Sequence, residues 1–230
     1  MFGSGKVISG DRVIDKADLE VRARRAATAL NSLGIDNGGV FAVFLRNDFA
    51  YLEARMAADF LGAYIVATNW HQKDDEVGYI LSDCEAEALI VHADLLPQIE
   101  PGIPDGLPVY VVPTAVDLAE AYGADASICT VPDGRTDWGQ WIEGFEPWDA
   151  PGRPPRPAIM YTSGTTGRPK GVVKQPLKAD QVEMAAKLGA DTFGPRNGMV
   201  SLLCGPCYHS PLDVQARQGL TYDADLIIQP

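Results

Sequence analysis

Eleven consecutive residues, Tyr161-Thr162-Ser163-Gly164-Thr165-Thr166-Gly167-Arg168-Pro169-Lys170-Gly171, gather four Ser/Thr hydroxyls, three glycines and a lysine behind a short apolar run. These residue types in this order suit a polyphosphate. Glycines let backbone N–H groups turn toward an anion, hydroxyls donate further hydrogen bonds, and the lysine adds a full positive charge. The spacing Gly-x-x-x-x-Gly-Lys-Ser/Thr is not met between Gly164 and Gly171, so this is not a Walker-type phosphate loop.

The charge pattern points the same way. The chain has 230 residues with 19 Lys+Arg against 31 Asp+Glu, a net charge of -12. Such a surface repels nucleotides in general and argues against nonspecific nucleic-acid binding. Yet no carboxylate occurs between Asp149 and Asp180, where Arg153, Arg156, Arg168, Lys170, Lys174 and Lys178 all fall. A mobile Ser/Gly linker would share the composition, but it has no need of Pro169-Lys170-Gly171 or of flanking strands.

The elements that must position this loop alternate. A hairpin is expected from Lys6–Ile8 and Val13–Ile14, then a helix capped near Asp15 and ended by Gly34. Val40 to Leu45 is an apolar run of strand length, followed by a helix over Asp48–Leu61 and a strand over Tyr64–Ala67. A helix over Asp74–Leu81 and strands over Ala88–Val91 and Val109–Val112 repeat the order. Beyond the loop come Val172–Val173, a helix near Lys178–Leu188, and strands at Val200–Leu203 and Asp225–Ile228. The alternation predicts an α/β fold, a doubly wound and mostly parallel sheet with helices on both faces. Thr130 to Pro157, with three tryptophans and six prolines, reads as an ordered connection across the surface. A composition of 46% hydrophobic and 22% charged residues is that of a soluble domain. No apolar stretch approaches the roughly 20 residues of a membrane span, and Met1 to Asp11 has no signal-peptide core. A cytoplasmic protein with four reduced cysteines is therefore expected.

One competing motif is Cys204-Gly205-Pro206-Cys207, which has the letters of a dithiol redox centre. Pro211 would interrupt a helix beginning at the motif, and Cys204, Cys207 and His209 lack a fourth zinc ligand near by. The pair is read as two small buried residues at a strand end, and no metal site is assigned. His71 and His92 receive no role, and His92 is read as ordinary surface.

The loop pattern resembles the signature of the adenylate-forming, or AMP-binding, superfamily. Asn69-Trp70-His71 with the following Glu76–Leu81, and Tyr208-His209-Ser210-Pro211 after an apolar strand, extend the likeness over most of the chain and make it most like an acyl-CoA synthetase. The resemblance implies an ATP-dependent acid–CoA ligase. A carboxylic acid, with a fatty acid preferred over aryl or alicyclic acids, would give an acyl-adenylate and pyrophosphate, and the acyl group would then pass to coenzyme A. By the same resemblance Thr162, Ser163, Gly164, Thr165, Thr166 and Gly167 would wrap the β- and γ-phosphates of ATP, Lys170 would assist, Mg2+ would offset charge, and His209 would line the substrate and adenylate pocket. The family's Thr-Glu magnesium motif, Tyr-x-Thr-Gly-Asp ribose motif and C-terminal lid domain with its lysine do not occur before Pro230. Residues 1–230 are thus expected to be an incomplete AMP-binding domain with its phosphate loop at 161–171, lacking a complete catalytic set, weakly active or inactive alone and completed by the rest of the enzyme. A noncatalytic nucleotide-binding or scaffold protein derived from the family is the alternative.

Overall fold

The computed structural model describes residues 2–162 and 168–229. The chain opens with the expected hairpin, β1 (Lys6–Ser9) and β2 (Arg12–Asp15), followed by α1 (Lys16–Ser32). Asp15 occupies the N-cap position, but its side chain makes no capping bond; the Lys16 amide bonds the Gly5 carbonyl instead. Then follow β3 (Val40–Phe44), α2 (Phe49–Leu61), β4 (Tyr64–Ala67), α3 (Asp74–Asp83), β5 (Leu89–His92), α4 (Leu96–Ile99), β6 (Val109–Val112) and α5 (Val116–Tyr122). β7 (Thr136–Asp137), α6 (Trp138–Glu143), β8 (Met160–Thr162), β9 (Lys170–Val172), α7 (Ala179–Phe193), β10 (Val200–Leu203), α8 (Ser210–Thr221) and β11 (Asp225–Ile228) complete it.

The α/β prediction holds, but the strands divide into separate sheets. β4-β3-β5-β6-β7 form a wholly parallel five-stranded sheet. Alternation along β3 explains why its sequence is a continuous apolar run: Phe41 and Val43 face one core, Ala42 and Phe44 the other. The first core is closed by α1, α2 and α6 through Leu19, Leu30, Leu52, Leu61 and Trp138; the second by α3 and α4 through Val77, Ile80, Leu81 and Ile99. The first hairpin belongs to another sheet, β10-β11-β1-β2, because β1 pairs in parallel with β11. Helix α8 covers the inner face of that sheet with Ala216 and Leu220 against Leu203, Leu226 and Ile228.

Two sequence expectations change here. The Trp-rich segment is more than a surface connection: it contributes an edge strand and the helix α6, and Trp138 is fully buried with its indole N–H donating to Glu53 Oε2 at 2.9 Å. Truncating such a side chain costs on the order of 3–5 kcal/mol, so proline density hid a core element. Helix α8 was also unforeseen. Pro211 sits in its first turn, where a missing N–H does no harm, so the proline that argues against a helix at Cys204 starts one at Ser210. The buried Lys16 ammonium closes the other end of α8 by donating to the Gly219 and Tyr222 carbonyls at 2.8 and 2.7 Å.

Candidate functional site

The residues that flank the loop singled out by sequence form a two-stranded antiparallel ribbon. β8 and β9 pair Met160 with Val172, Tyr161 with Gly171 and Thr162 with Lys170, so the last described residue before the loop faces the lysine after it. The ribbon leaves the edge of the five-stranded sheet, where Ile159 bridges Val66 in parallel and its amide bonds the Ile65 carbonyl at 2.9 Å. Ser163, Gly164, Thr165, Thr166 and Gly167 lie outside the described residues. Lys170 and Arg168 are exposed, and the Arg168 guanidinium stacks over the Tyr79 ring at 5.0 Å.

Tyr161 anchors the base of the loop. Its hydroxyl donates to Asp83 Oδ2 at 2.6 Å, and burial followed by that carboxylate raises the phenol far above its ordinary pKa, so it stays a donor. The tight pairing explains Gly171: a Cβ there would stand 2.9 Å from the Tyr161 ring. The described donors are cations, with the Asp83 carboxylate occupied by Tyr161, which fits an anion. Among the described residues no three His, Cys, Asp or Glu side chains converge as a metal site would.

His209 stands elsewhere, as the exposed N-cap residue of α8, its ring packed on Tyr208 with centroids 4.5 Å apart. Tyr208 meets Trp70 edge-on at 5.9 Å, and Trp70 meets Tyr122 at 5.1 Å. Beneath these rings lies the nearly buried Arg46, 5.6 Å from Trp70 and 4.1 Å from Tyr122, ion-paired with Asp94. This aromatic group gathers where β3, β4 and β5 end, the side of a parallel sheet that receives ligands. Among the described residues no hydrogen bond or ion pair joins Arg168–Gly171 to His209. Sequence reasoning passed over Arg46 and Tyr122, since nothing in local spacing shows that three loops share one side of the sheet.

A buried polar chain supports this floor and corrects the reading of His92. His92 has no exposure. Its Nδ1 accepts the Arg46 backbone N–H at 3.1 Å, which leaves Nε2 to donate to Asp48 Oδ2 at 3.1 Å. Asp48 also accepts from Arg12 Nη1 at 2.8 Å and from the Phe49 amide that starts α2. Burial raises the Asp48 pKa, but the bond from His92 and the Arg12 charge outweigh it and hold the carboxyl below its usual range. A cleft of about 490 Å³ opens beside Arg12, Arg22, Asp48, Glu53 and Trp138, where Arg12 and Arg22 are already paired with these acids.

The Cys204–Cys207 turn has a structural part. Asn47, buried just after β3, donates to the carbonyls of Gly205 and Gln229, each at 2.9 Å, and accepts from the Cys207 amide at 2.9 Å. Cys207 is buried and Cys204 exposed, so only half of the buried-pair expectation holds. Burial, then the Asp213 carboxylate, pushes the Cys207 thiol well above its ordinary pKa, the opposite of a reactive redox cysteine.

The parallel sheet with helices on both faces defines an α/β domain of the doubly wound kind. The profile of the AMP-binding enzyme family matches residues 6–211, and the chain belongs to that family. It is 31% identical over 193 residues to the long-chain-fatty-acid–CoA ligase FadD13 of Mycobacterium tuberculosis, covering 84% of this chain and 35% of that protein. It is also 31% identical over 168 residues to the 2-succinylbenzoate–CoA ligase of Bacillus licheniformis, covering 73% of this chain and 30% of that protein. The chain therefore spans about a third of the length of these curated relatives. Among solved structures, a benzoate CoA ligase from Burkholderia xenovorans superposes with a TM-score of 0.75 at 18% identity, covering 100% of this chain and 42% of that one. ATP-bound MatB from Rhodopseudomonas palustris does so with 0.74 at 21% identity, covering 98% and 42%. No described helix is long and apolar enough to cross a membrane.

Proposed function

We propose that this chain carries the ATP-phosphate grip and part of the acid pocket of an AMP-forming acid–CoA ligase. The observation that carries this reading is the Tyr161–Gly171 pattern on an anchored ribbon, with Lys170 opposite Thr162 at the loop's base. Thr162, Ser163, Gly164, Thr165, Thr166 and Gly167 would donate to the β- and γ-phosphates, and Lys170 would add its charge where pyrophosphate leaves. Mg2+ would arrive on the phosphate oxygens of ATP. Both the fatty-acid ligase and the succinylbenzoate ligase named above support a carboxylic acid as second substrate and coenzyme A as acyl acceptor. We take a fatty acid as the substrate, because Trp70, Tyr122, Tyr208 and His209 offer a largely apolar wall to an acyl chain.

Equilibrium dialysis with labelled ATP tests the grip. A charge-assisted contact at an exposed lysine contributes about 1 kcal/mol after solvent screening, so Lys170→Ala should weaken ATP binding roughly fivefold. Unchanged affinity removes Lys170 from the site. ATP–pyrophosphate exchange, measured with hexadecanoate and benzoate on this chain joined to the remainder of a ligase, tests the acid; preference for benzoate would overturn the fatty-acid choice.

A further inference from the structure

Helix α3 ends with its electrostatics reversed. The C-terminus of a helix carries partial negative charge and favours Lys or Arg in the last turn. Here the last turn holds no basic residue; Asp83 is the final helical residue, and Glu85 follows in left-handed backbone at φ 52°, a position that glycine often fills. The cation that offsets this charge comes from another part of the chain. Arg168 sets its guanidinium 5.0 Å from the centre of the Tyr79 ring, one helical turn before Asp83. The ring is held in place: Tyr79 packs half-buried against the second core, and its hydroxyl donates to Asp83 Oδ1 at 3.2 Å, while the other oxygen of that carboxylate takes the Tyr161 hydroxyl. Arg168 itself is exposed, and in the sequence it stands between Gly167 and Lys170, two of the residues proposed for the ATP phosphates.

We propose that Tyr79 is the resting place of Arg168 in the nucleotide-free protein, and that Arg168 leaves the ring to become a further cation on the phosphates when ATP binds. This rests on the reading of residues 161–171 as the phosphate loop. A guanidinium on a solvent-facing ring gains about a two- to fivefold preference for that place. Phosphate oxygens offer the same planar group two parallel charge-assisted bonds, which are stronger. The phosphates therefore win Arg168, but Tyr79 competes for it. Since the molecules with Arg168 off the ring are the ones ready for ATP, apparent affinity falls with their fraction, and Tyr79 lowers it by about the same two- to fivefold. The competition fixes the sign of the effect: removing the Tyr79 ring should tighten ATP binding. A purely structural part for Tyr79 carries the opposite sign, because losing the ring would loosen Asp83 and with it Tyr161.

Equilibrium dialysis with labelled ATP on wild type, Tyr79→Leu, Tyr79→Phe, Arg168→Ala and the combined Tyr79→Leu and Arg168→Ala variant forms a double-mutant cycle. Tyr79→Leu should bind ATP about two- to fivefold more tightly. Tyr79→Phe, which keeps the ring face, should bind like wild type, and Arg168→Ala several-fold more weakly. In the combined variant the gain from Leu should vanish. A second readout needs no change in α3: in NMR spectra of the chain with isotope-labelled arginine, the δ-methylene protons of Arg168, assigned through Arg168→Lys, should lie upfield under the Tyr79 ring current and return to the ordinary arginine position as ATP is added. Weaker or unchanged binding by a folded Tyr79→Leu, a gain from Leu that survives without Arg168, or an Arg168 signal that is not upfield or that ATP leaves in place overturns the proposal. Those results leave the loop reading standing where Lys170→Ala still weakens ATP binding; the absence of saturable ATP binding by wild type overturns both.

Discussion

Asp48→Asn isolates one charge inside the floor of the site. The asparagine keeps a side-chain oxygen for the Phe49 amide, so the N-cap of α2 survives. Three contributions are lost or reduced. The ion pair with the one-third-exposed Arg12 is worth about 1 kcal/mol after screening, the more so because Asp117 still holds that guanidinium. The asparagine Nδ2 then faces the His92 Nε2–H, donor against donor, so that bond is lost and a buried N–H is left without an acceptor, a further loss of about 2 kcal/mol. The negative charge at the start of α2 contributes roughly 0.5 kcal/mol through the helix dipole. The sum is about 3–4 kcal/mol. Asp48→Ala removes the cap as well, which adds about 1–2 kcal/mol. Urea unfolding followed by tryptophan fluorescence at pH 7 measures both. The pH dependence has a definite sign: the folded Asp48 pKa is depressed, so its contribution is present above the unfolded value near 3.9 and lost as pH falls through the folded one. The gap between wild type and Asp48→Asn should narrow below about pH 4. Equal losses for Asn and Ala, or a gap that widens in acid, would refute the geometry assigned to His92 and Asp48.

Three further outcomes are expected. Gly171→Ala drives a methyl into the Tyr161 ring and should loosen the Asp83 bond, weakening ATP binding several-fold with little change in global unfolding; wild-type affinity in dialysis would show the ribbon's spacing to be irrelevant. Trp138→Phe keeps most of the apolar volume but takes a donor from Glu53, and should cost about 2 kcal/mol in urea unfolding; a loss below about 0.5 kcal/mol would contradict the burial of α6. Asn47→Ala removes three bonds to the backbone of Gly205, Cys207 and Gln229 and should make Cys207 label with maleimide many times faster than in wild type, where Cys204 is the exposed thiol; an unaltered rate would mean that Asn47 does not hold the turn.

Legibility followed locality. The apolar runs Val40–Phe44, Tyr64–Ala67 and Val109–Val112 are strands because both faces of their sheet are buried, and a period-free apolar run is the direct mark of that burial. The proposed phosphate loop stands out in the sequence for the same reason, since its residue types are consecutive. Partition into two sheets was not legible: β1 meets β11 from the far end of the sequence, and nothing in either strand encodes the other. His92 looked like surface because it follows an apolar strand, yet its place depends on Arg46 and Asp48, contributed by the turn after β3. Trp138 was hidden by composition, because prolines on either side masked a six-residue helix whose partner Glu53 lies in α2.

These nonlocal contacts converge on one arrangement. Asn47 follows β3 of the five-stranded sheet, whereas Gly205 and Gln229 follow β10 and β11 of the four-stranded one. A single buried amide thus ties the carboxyl end of β3 in one sheet to those of the parallel neighbours β10 and β11 in the other. Ligands of open α/β sheets lie outside those ends, and in this chain the Asn47 bonds bring the ends of the two sheets together. Tyr208 stands at the junction and packs against both hydrophobic cores, with His209 on one side of it and Trp70 on the other. The acid pocket proposed here is therefore a seam between sheets, and its shape is governed by how the sheets meet more than by any one wall residue. A substitution at Asn47, whose side-chain bonds all go to backbone, should disturb that wall more than one at the exposed His209.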